Sequence, residues 1–469
     1  MNDLKKIIKG TGIYLIGTTF TKMVQFFLLP IYTSFLTPSE FGQYDLGLAY
    51  ATFLWTFVYL DIYGAILRFM FDFEENDKNK PIISGLIIFI LSTIAYGILI
   101  LILVFVFHLP LDYPFLLFLI GFLTVLQQVF GYIARGFKKD MIFVVGGILG
   151  AGITFISTII LLYIFKISFS AIYIATILGM LVNICYVGFR INLYRSISFK
   201  YFESKLFFEM IKYAAPLSLN SVSYWFLTGF NRIAISNYLS IYDNGLYALV
   251  TKFGSIITLF TQAFQMAWQE LSFSKVKLNS EEQGRFYSKA VNKFMIFLLL
   301  GATLSLPIIA LLFDFIVDNQ YREAYKYMPL TLLSSVFSAY SSFMASIIST
   351  LKKTKYIFTT TLYGSIVNVI VLLILINFVG VYSAIISLNL GFLVTFLRRI
   401  QLVKKEIKLD INWGGYSVNL IIFTLVSIMF STENIIYIIL SIFIVLITFY
   451  FSFKKDLNNF LYFLKRRNK

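Results

Sequence analysis

Apolar stretches long enough to cross a membrane recur along this chain, and they constrain its fold more than any other feature. A helix of about 20 apolar residues crosses the ~30 Å hydrocarbon layer of a bilayer. Hydrophobic residues make up 59% of the 469 residues and charged residues 13%. The stretches are too long, and too rich in Leu, Ile and Phe, for the alternating strands of a membrane barrel. The sequence therefore predicts an all-α, polytopic membrane protein.

These stretches predict about 14 transmembrane helices. The helices are predicted at residues 11–36, 45–67, 82–107, 112–134, 141–165, 169–189, 213–238, 246–269, 291–313, 328–351, 356–378, 381–400, 415–430 and 435–453. The thirteenth stretch is short, so twelve helices plus a pair of undecided kind is the alternative. The first stretch lacks a small-residue cleavage site after a short apolar core, so we interpret it as a retained helix rather than a signal peptide.

The basic residues indicate how the chain is oriented in the membrane. The chain carries 39 Lys and Arg against 23 Asp and Glu, a formal net charge of +16. Most of the basic residues fall in the N-terminal segment, in alternate connections and in the C-terminal tail. Since cytoplasmic connections carry the excess of Lys and Arg, both termini are predicted to be cytoplasmic. The net charge therefore reports membrane topology, and no nucleic-acid partner is expected.

Cysteine and histidine are too scarce for several kinds of site. The chain has one cysteine, Cys185, and one histidine, His108. This excludes an internal disulfide and the paired Cys or His motifs that bind metals. His108 is a candidate for Ser–His chemistry, but its position at a loop edge near Pro110 favours an interfacial residue. We therefore predict no catalytic residue, no metal and no cofactor.

Short sequence matches relate the two halves of the chain. FLTPSEFGQY at 35–44 aligns with YLSIYDNGLY at 238–247, which places Gly42 on Gly245. A second pair, GFKKDMIF and TLKKTKYI, contains matching Lys-Lys dipeptides. Both pairs occupy equivalent connections of two six-helix halves. The matches predict two pseudo-symmetric bundles related by an axis along the membrane normal, as in transporters that rock two bundles about a central site.

The predicted domains follow from this repeat. They are an N-terminal six-helix bundle at 1–190, a cytoplasmic linker at 191–212, a C-terminal six-helix bundle at 213–400, and a helix pair with a basic tail at 401–469. The linker carries aromatic residues among charges, as amphipathic helices on a membrane surface do. An amphipathic surface helix and a plain linker both stay open.

Cations within the predicted helices are the candidate functional residues: Lys22, Arg232 and Lys252. A charge at the bilayer centre costs about 2.5–3.5 kcal/mol on insertion scales, so such residues usually face a bundle interior or a wet cavity. Helical spacing places Gln25 on the face of Lys22 and Asn231 beside Arg232. It also places Gln262 in a polar stripe that runs along the helix of Lys252. The sequence predicts a cationic cavity.

Carboxylates are too few in the predicted helices to neutralise these cations. The clear candidate is Asp61, with Glu270 and Asp314 at helix ends. We therefore favour an anionic ligand over structural ion pairs, which remain the alternative. Asp61 is either a protonatable coupling residue or the partner of Lys22. Arg68, seven residues further along the same face, is either a substrate contact or an anchor at the membrane interface.

The chain resembles the bacterial polysaccharide flippases (O-antigen or capsule repeat-unit, Wzx-type) of the multidrug/oligosaccharidyl-lipid/polysaccharide exporter superfamily. The segments that carry the resemblance are FLTPSEFGQYDLGLA, LDIYGAILRF, FNRIAISNYLSIYDNGLYALVTKF, KKTKYIF and FVGVYSA, together with Asn368. The resemblance covers nearly the whole chain. Asn231 is a departure, since relatives often have Asp before the Arg.

The resemblance implies translocation of an undecaprenyl-pyrophosphate-linked oligosaccharide across the bacterial cytoplasmic membrane, for surface polysaccharide assembly. Lys22, Arg232 and Lys252 would bind the pyrophosphate, with Arg68, Gln25, Asn231 and Gln262 as further substrate contacts. Polar residues of the Gln262 stripe would meet sugar hydroxyls. Asp61 would couple transport to H⁺ or Na⁺. Glycosyltransferases and the polymerase of the same pathway are the expected protein partners.

Other functions stay open as alternatives. An ion-coupled drug exporter of the same superfamily would favour carboxylates in the cavity, because many of its substrates are cations. A peptidoglycan-precursor flippase differs in the headgroup alone. A membrane enzyme would need a positioned acid, base or metal site, and the sequence offers none.

Overall fold

A computed structural model describes residues 20–467, apart from Lys22, Gln25, Asn76, Pro110, 194–197, 275–279 and Lys352. In parts of 259–280 and throughout 455–467 it describes the backbone alone. The described chain is helical, without a β-strand. Within it, ten helices are long and apolar enough to cross a membrane, and a bent helix pair raises the number to 11. The all-α, polytopic fold class is confirmed, whereas the count of 14 is not.

The helices are numbered here in chain order. They are α1 (Leu29–Phe35), α2 (Pro38–Val58), α3 (Ile62–Met70), α4 (Asn79–Phe105), α5 (Pro114–Gly136), α6 (Asp140–Ile159, continued by a π-turn at Ile160–Ile164), α7 (Ser170–Arg190), α8 (Ser204–Thr228), α9 (Phe230–Tyr238), α10 (Ile241–Ser274), α11 (Ser280–Ile316), α12 (Met328–Thr350), α13 (Lys355–Val379), α14 (Tyr382–Glu406), α15 (Trp413–Ser431) and α16 (Ile435–Arg467). Short 3₁₀ segments occur at Phe199–Tyr201 and Asn319–Tyr327.

The chain divides into two compact units. The first contains the residues up to Lys252 together with Ile357–Val394, and the second contains Phe253–Tyr356 and the residues from Thr395 onward. The domain boundaries drawn from the sequence stay a prediction. One local difference is that α8 begins at Ser204, so it includes the last part of the predicted linker.

In the first unit, α2 begins earlier than the sequence predicted. Thr37 accepts a hydrogen bond from the Glu40 backbone N–H, and the Glu40 carboxylate accepts one from the Thr37 N–H at 2.9 Å. Pro38 occupies the first turn, where its missing N–H has no cost. This capping box fixes the start of α2 at Pro38. The helix therefore contains residues 38–44, which the sequence predicted to lie in the connection between two helices.

A break separates α2 from α3. Leu60 and Asp61 both have positive φ angles, 54° and 50°, and the two helices differ in direction by 42°. Such conformations cost about 1–2 kcal/mol for residues other than glycine, so neighbouring bonds must hold them. The Asp61 carboxylate accepts hydrogen bonds from the hydroxyls of Tyr63 at 2.6 Å and Ser221 at 2.5 Å. These bonds tie the break to α8.

The two repeat glycines form a helix crossing in the first unit. A Cβ atom on Gly42 of α2 would overlap the Ile241 carbonyl oxygen, and one on Gly245 of α10 would overlap that of Pro38. Asn244 reinforces the crossing, because its side-chain amide donates to the Gly42 carbonyl at 2.8 Å. Small residues let helix backbones approach closely where lipid replaces water. The matched positions of the repeat are therefore in contact.

In the second unit, α11 packs against α12, α15 and α16. Arg322 joins the 3₁₀ segment to two acids, Asp314 at the end of α11 and Glu433 after α15. Next to it, the Tyr325 ring stacks on Phe430 with centroids 4.1 Å apart. We call Arg322, Asp314 and Glu433 the α15 clasp, because they attach the C-terminal helix pair to α11.

Candidate functional site

Arg232 forms a buried ion pair in the first unit. Its Nε lies 2.5 Å from Oδ2 of Asp45 on α2, and its Nη1 donates to the Thr228 carbonyl at 2.7 Å. The side chain of Arg232 is 20% exposed and that of Asp45 is 7% exposed. The guanidinium carbon also lies 5.6 Å from the ring centroid of Tyr247. Removing one partner of a buried pair costs about 3–5 kcal/mol, so this pair holds α2 to α9.

Local sequence places Arg232 beside α2. Gly229 interrupts the helix between α8 and α9, and a side chain there would collide with the indole of Trp225. That indole donates from Nε1 to the Ala49 carbonyl at 3.1 Å. One turn of α2 therefore contacts α8 through Ala49, and the turn before it contacts α9 through Asp45. The Gly42–Gly245 crossing brings the start of α10 to the same end of α2.

Asn231 is fully buried and joins three elements. Its side-chain amide donates to the Ala384 carbonyl at 2.9 Å and lies 3.3 Å from the Tyr247 hydroxyl. Its Oδ1 accepts from the Asn368 amide at 2.8 Å. The amide therefore fixes α9 against α10, α13 and α14. Asn231 is predicted as a substrate contact, and this role stays a prediction; in the structure its amide is hydrogen-bonded between helices.

Lys252 belongs to the same electrostatic group. Asp45 and Arg232 both act on its ammonium group, with opposite signs. Lys252 therefore lies near both members of the Asp45–Arg232 pair. We call these three residues the Asp45 cluster. The formal charges of its three residues sum to a positive value.

A cavity of about 340 Å³ adjoins the Asp45 cluster, since Lys252 and Tyr44 line it. Its other lining residues come from the segment before α2 and from α2, α5, α6 and α7: Thr21, Val24, Leu28, Tyr32, Leu48, Trp55, Ile120, Thr124, Gln127, Gly147, Gly150, Ala151, Thr154, Thr176, Gly179 and Met180. The described lining contains hydroxyls, one amide and one cation, and it contains no carboxylate. The cavity thus lies next to a positive cluster and offers hydrogen-bonding groups.

Several predicted site residues cannot be placed around this cavity. Lys22 and Gln25 lie outside the described residues, although their neighbours Thr21 and Val24 line the cavity. Gln262 belongs to α10, but its side chain is outside the described part. The roles of these three residues stay predictions.

Arg68 and Asp61 lie elsewhere in the first unit. Arg68 is exposed, and its Nη1 lies 2.5 Å from the Asp72 carboxylate one turn later. This geometry favours the interface-anchor alternative for Arg68. Asp61 accepts its hydrogen bonds from Tyr63 and Ser221 at the break between α2 and α3. Neither residue lines the cavity as described.

Asp45 is a candidate site residue that the sequence did not indicate. The predicted second helix started at Asp45, so the residue appeared to lie at a helix end near water. The structure places it two turns inside α2, where it is 5% exposed. The signal that places it inside the helix is Thr37-Pro-Ser-Glu40, an N-terminal capping pattern that begins eight residues earlier. With the helix start at Pro38, Asp45 lies inside the helix, although the pattern does not identify Arg232 as its partner.

The chain matches the family model described as "Polysaccharide biosynthesis protein" over residues 7–268, more than half of its length. It belongs to the polysaccharide biosynthesis protein family. The resemblance inferred from the sequence is thereby confirmed at the level of the family. No curated protein matches the chain.

Solved structures share the fold of this family member. A structure of the lipid II flippase MurJ in an inward closed conformation is similar, with a TM-score of 0.71 and 16% identity, and the match covers 94% of this chain and 99% of that one. An inward-facing multidrug resistance MATE family transporter of the MOP superfamily gives a TM-score of 0.66 and 16% identity over 82% and 95% of the two chains. At such identity the likeness establishes the fold: a multi-span helical membrane protein of the MATE and MurJ type.

Proposed function

We propose that this protein is a flippase that moves undecaprenyl-pyrophosphate-linked oligosaccharide repeat units across the cytoplasmic membrane by alternating access. The Asp45 cluster carries the proposal, because it places the cationic side chains of Arg232 and Lys252 next to a cavity within a membrane-embedded unit. Cations inside a membrane protein usually face a bundle interior or a wet cavity, where an anionic ligand can bind them. The pyrophosphate of the carrier lipid is such an anion, and the family membership links the chain to polysaccharide synthesis.

The bonding state of Arg232 suits phosphate recognition. Asp45 occupies its Nε and the Thr228 carbonyl occupies one position of Nη1. The Nη2 group makes no hydrogen bond among the described residues, so its two N–H donors remain for a ligand. Arginine binds phosphate oxygens through such paired donors, whereas Lys252 contributes a point charge.

The same residue gives substrate binding a route to conformational change. Asp45 ties α2 to α9 through Arg232, so a phosphate that attracts the guanidinium weakens this tie. The Gly42–Gly245 crossing then has less support from its neighbours. A ligand shifts a conformational equilibrium by its difference in affinity for the two states. We infer that pyrophosphate binding favours the state in which Asp45 and Arg232 are apart.

Ion coupling and partners belong to the proposal as well. Asp61 is the coupling candidate, since its carboxylate lies at a helix break and accepts hydroxyl hydrogen bonds from two helices. Either H⁺ or Na⁺ would serve as the ion. Glycosyltransferases and the polymerase of the pathway would supply the substrate and consume it.

Transport in reconstituted vesicles tests the proposal. Purified protein is placed in vesicles with undecaprenyl-pyrophosphate-linked oligosaccharide that carries a fluorescent label, and an impermeant quencher reports the label that reaches the outer leaflet. Quenching should proceed further with protein than in protein-free vesicles.

Two further substrates separate the alternatives in the same assay. Faster movement of lipid II than of the oligosaccharide lipid would assign a peptidoglycan-precursor flippase. Transport of a cationic drug without movement of either lipid would assign a drug exporter and would overturn the proposal. A drug exporter has little support in the described cavity, whose lining residues include Lys252 and no acid.

A further inference from the structure

The cavity next to the Asp45 cluster has the dimensions of a small-molecule site. Its volume of about 340 Å³ is near the lower end of the usual range for ligand pockets, which is about 300–1,000 Å³. Such a volume suits a group of the size of one or two sugar rings. The Gly150–Gly179 contact brings α6 and α7 together behind it, since a Cβ on Gly150 would lie 2.8 Å from the Gly179 carbonyl oxygen. At the Gly150–Gly179 contact, the wall of the cavity therefore consists of backbone and small side chains.

Polar groups in this cavity are available to a ligand. Thr124 and Gln127 lie three residues apart on α5, so they share a helix face with Ile120. The Gln127 amide makes no hydrogen bond to any described residue. An amide inside a membrane-embedded unit needs partners, and water or a ligand must supply them. Thr154 and Thr176 add hydroxyls from α6 and α7.

The chemistry of the lining selects an uncharged, hydroxyl-rich ligand. No carboxylate occurs among the described lining residues, and Lys252 would repel a cation. Trp55 and Tyr44 present aromatic surface, which packs against the apolar C–H face of a pyranose ring. A mostly apolar pocket with a few convergent polar groups is the usual form of a small-molecule site.

We propose that this cavity binds the sugar nearest to the pyrophosphate of the substrate, while the Asp45 cluster binds the pyrophosphate itself. The inference rests on the proposed function and assigns a separate subsite within it. Lys252 and Tyr44 connect the two subsites, because both line the cavity and both neighbour Asp45. The polar stripe of α10 was expected to meet the sugars, but among the described lining residues α10 contributes Lys252 alone.

Gly147 allows the subsite to be filled without disturbing the fold. A Cβ at this position would meet only the Thr21 hydroxyl, at the ordinary contact distance of 3.6 Å. The Gly147→Leu side chain would therefore occupy the cavity. Gly152 lies on another face of α6 with no atom within 4 Å of its Cβ position, so Gly152→Leu is the matched control. Gln127→Leu removes the amide at nearly constant volume and keeps the test valid if Gly147→Leu fails to insert.

The affinity of purified protein for two probes tests whether the cavity binds a sugar. The probes are undecaprenyl pyrophosphate and the same lipid carrying one N-acetylglucosamine. Wild type and Gly152→Leu should bind the sugar-bearing probe more tightly. Gly147→Leu and Gln127→Leu should lose about tenfold in affinity for that probe, as expected when hydrogen bonds to a ligand are lost. Their affinity for the sugar-free probe should not change.

Three results would overturn the inference. One is equal affinity of wild type for the two probes. Another is an unchanged preference for the sugar-bearing probe in both cavity variants. A third is an equal loss of both probes in these variants, which would indicate a role in packing. Failure of wild type to bind either pyrophosphate lipid would instead overturn the proposed function, and the sugar subsite with it.

Discussion

Two arginines in this protein make similar contacts in the two units and have different consequences. Arg232 in the first unit and Arg322 in the second each pair with a carboxylate beside a tyrosine ring, at 5.6 Å from Tyr247 and 5.2 Å from Tyr325. Among the described residues, Arg232 is 20% exposed and pairs with Asp45, whose charge also acts on Lys252. Arg322 is 38% exposed and has two acids.

Burial and charge balance explain the difference. The α15 clasp has more acid than base and faces solvent, where an ion pair contributes about 0–1 kcal/mol. The Asp45 cluster has more base than acid and lies among buried helices next to a cavity, so it attracts an anion that enters this cavity. Arg322, with two acids, is suited to attaching the 3₁₀ segment to its neighbouring helices. Arg232, with a second cation nearby, is suited to binding an anion.

The largest expected effect comes from Arg232→Ala. It leaves Asp45 buried without this partner, at a cost of about 3–5 kcal/mol, so both surface polysaccharide and the amount of folded protein should fall sharply. The double variant Asp45→Asn, Arg232→Gln removes both charges together. It should restore the protein level in membranes but not export, measured as surface polysaccharide per unit of protein. Restored export would mean that Arg232 has a purely structural role.

Lys252→Gln should have a smaller and purely functional effect. It removes one cation from the Asp45 cluster and leaves the Asp45–Arg232 pair intact. A lost hydrogen bond to a charged group is worth about 1.5–3 kcal/mol, so transport in vesicles should fall by roughly ten- to a hundredfold. Thermal stability of the purified protein should stay close to wild type, and Lys252→Arg should retain part of the activity. Full transport by Lys252→Gln would remove this residue from the site.

Arg322→Gln should have the smallest effect on transport. It opens the α15 clasp, and the free energy of unfolding should fall by about 0–1 kcal/mol for each exposed pair lost. The loss should shrink at high salt, because solvent ions screen exposed charges. Thermal unfolding at low and high salt measures it, with transport assayed alongside. Loss of transport at normal protein level would break the contrast between the two arginines.

The fold class and the candidate cations could be predicted from sequence because they depend on local pattern. Apolar stretches predict membrane helices wherever the chain folds, and a cation inside such a stretch is conspicuous without any partner. The repeat also identified Gly42 and Gly245, which the structure places in contact. The family followed from short segments in a fixed order, and the family match confirms it.

Pairings between distant segments were decided by the tertiary structure. Asp45 and Arg232 are 187 residues apart, and no local periodicity relates them. Asn231 has a polar side chain of the kind that binds ligands, yet its amide forms hydrogen bonds to Ala384 and Asn368 on other helices. The sequence predicted Arg68 on the same helix face as Asp61, but Asp61 lies at the break before α3, and Arg68 pairs with Asp72.

By itself, the sequence determined that this protein crosses the membrane many times as helices and carries positive charge within them. Hydrophobic length and charge are properties of single segments, so they can be read in chain order. The tertiary structure alone decided which acid each cation meets and where a cavity remains. Those outcomes depend on how closely helices approach, which is set by side chains on several segments at once.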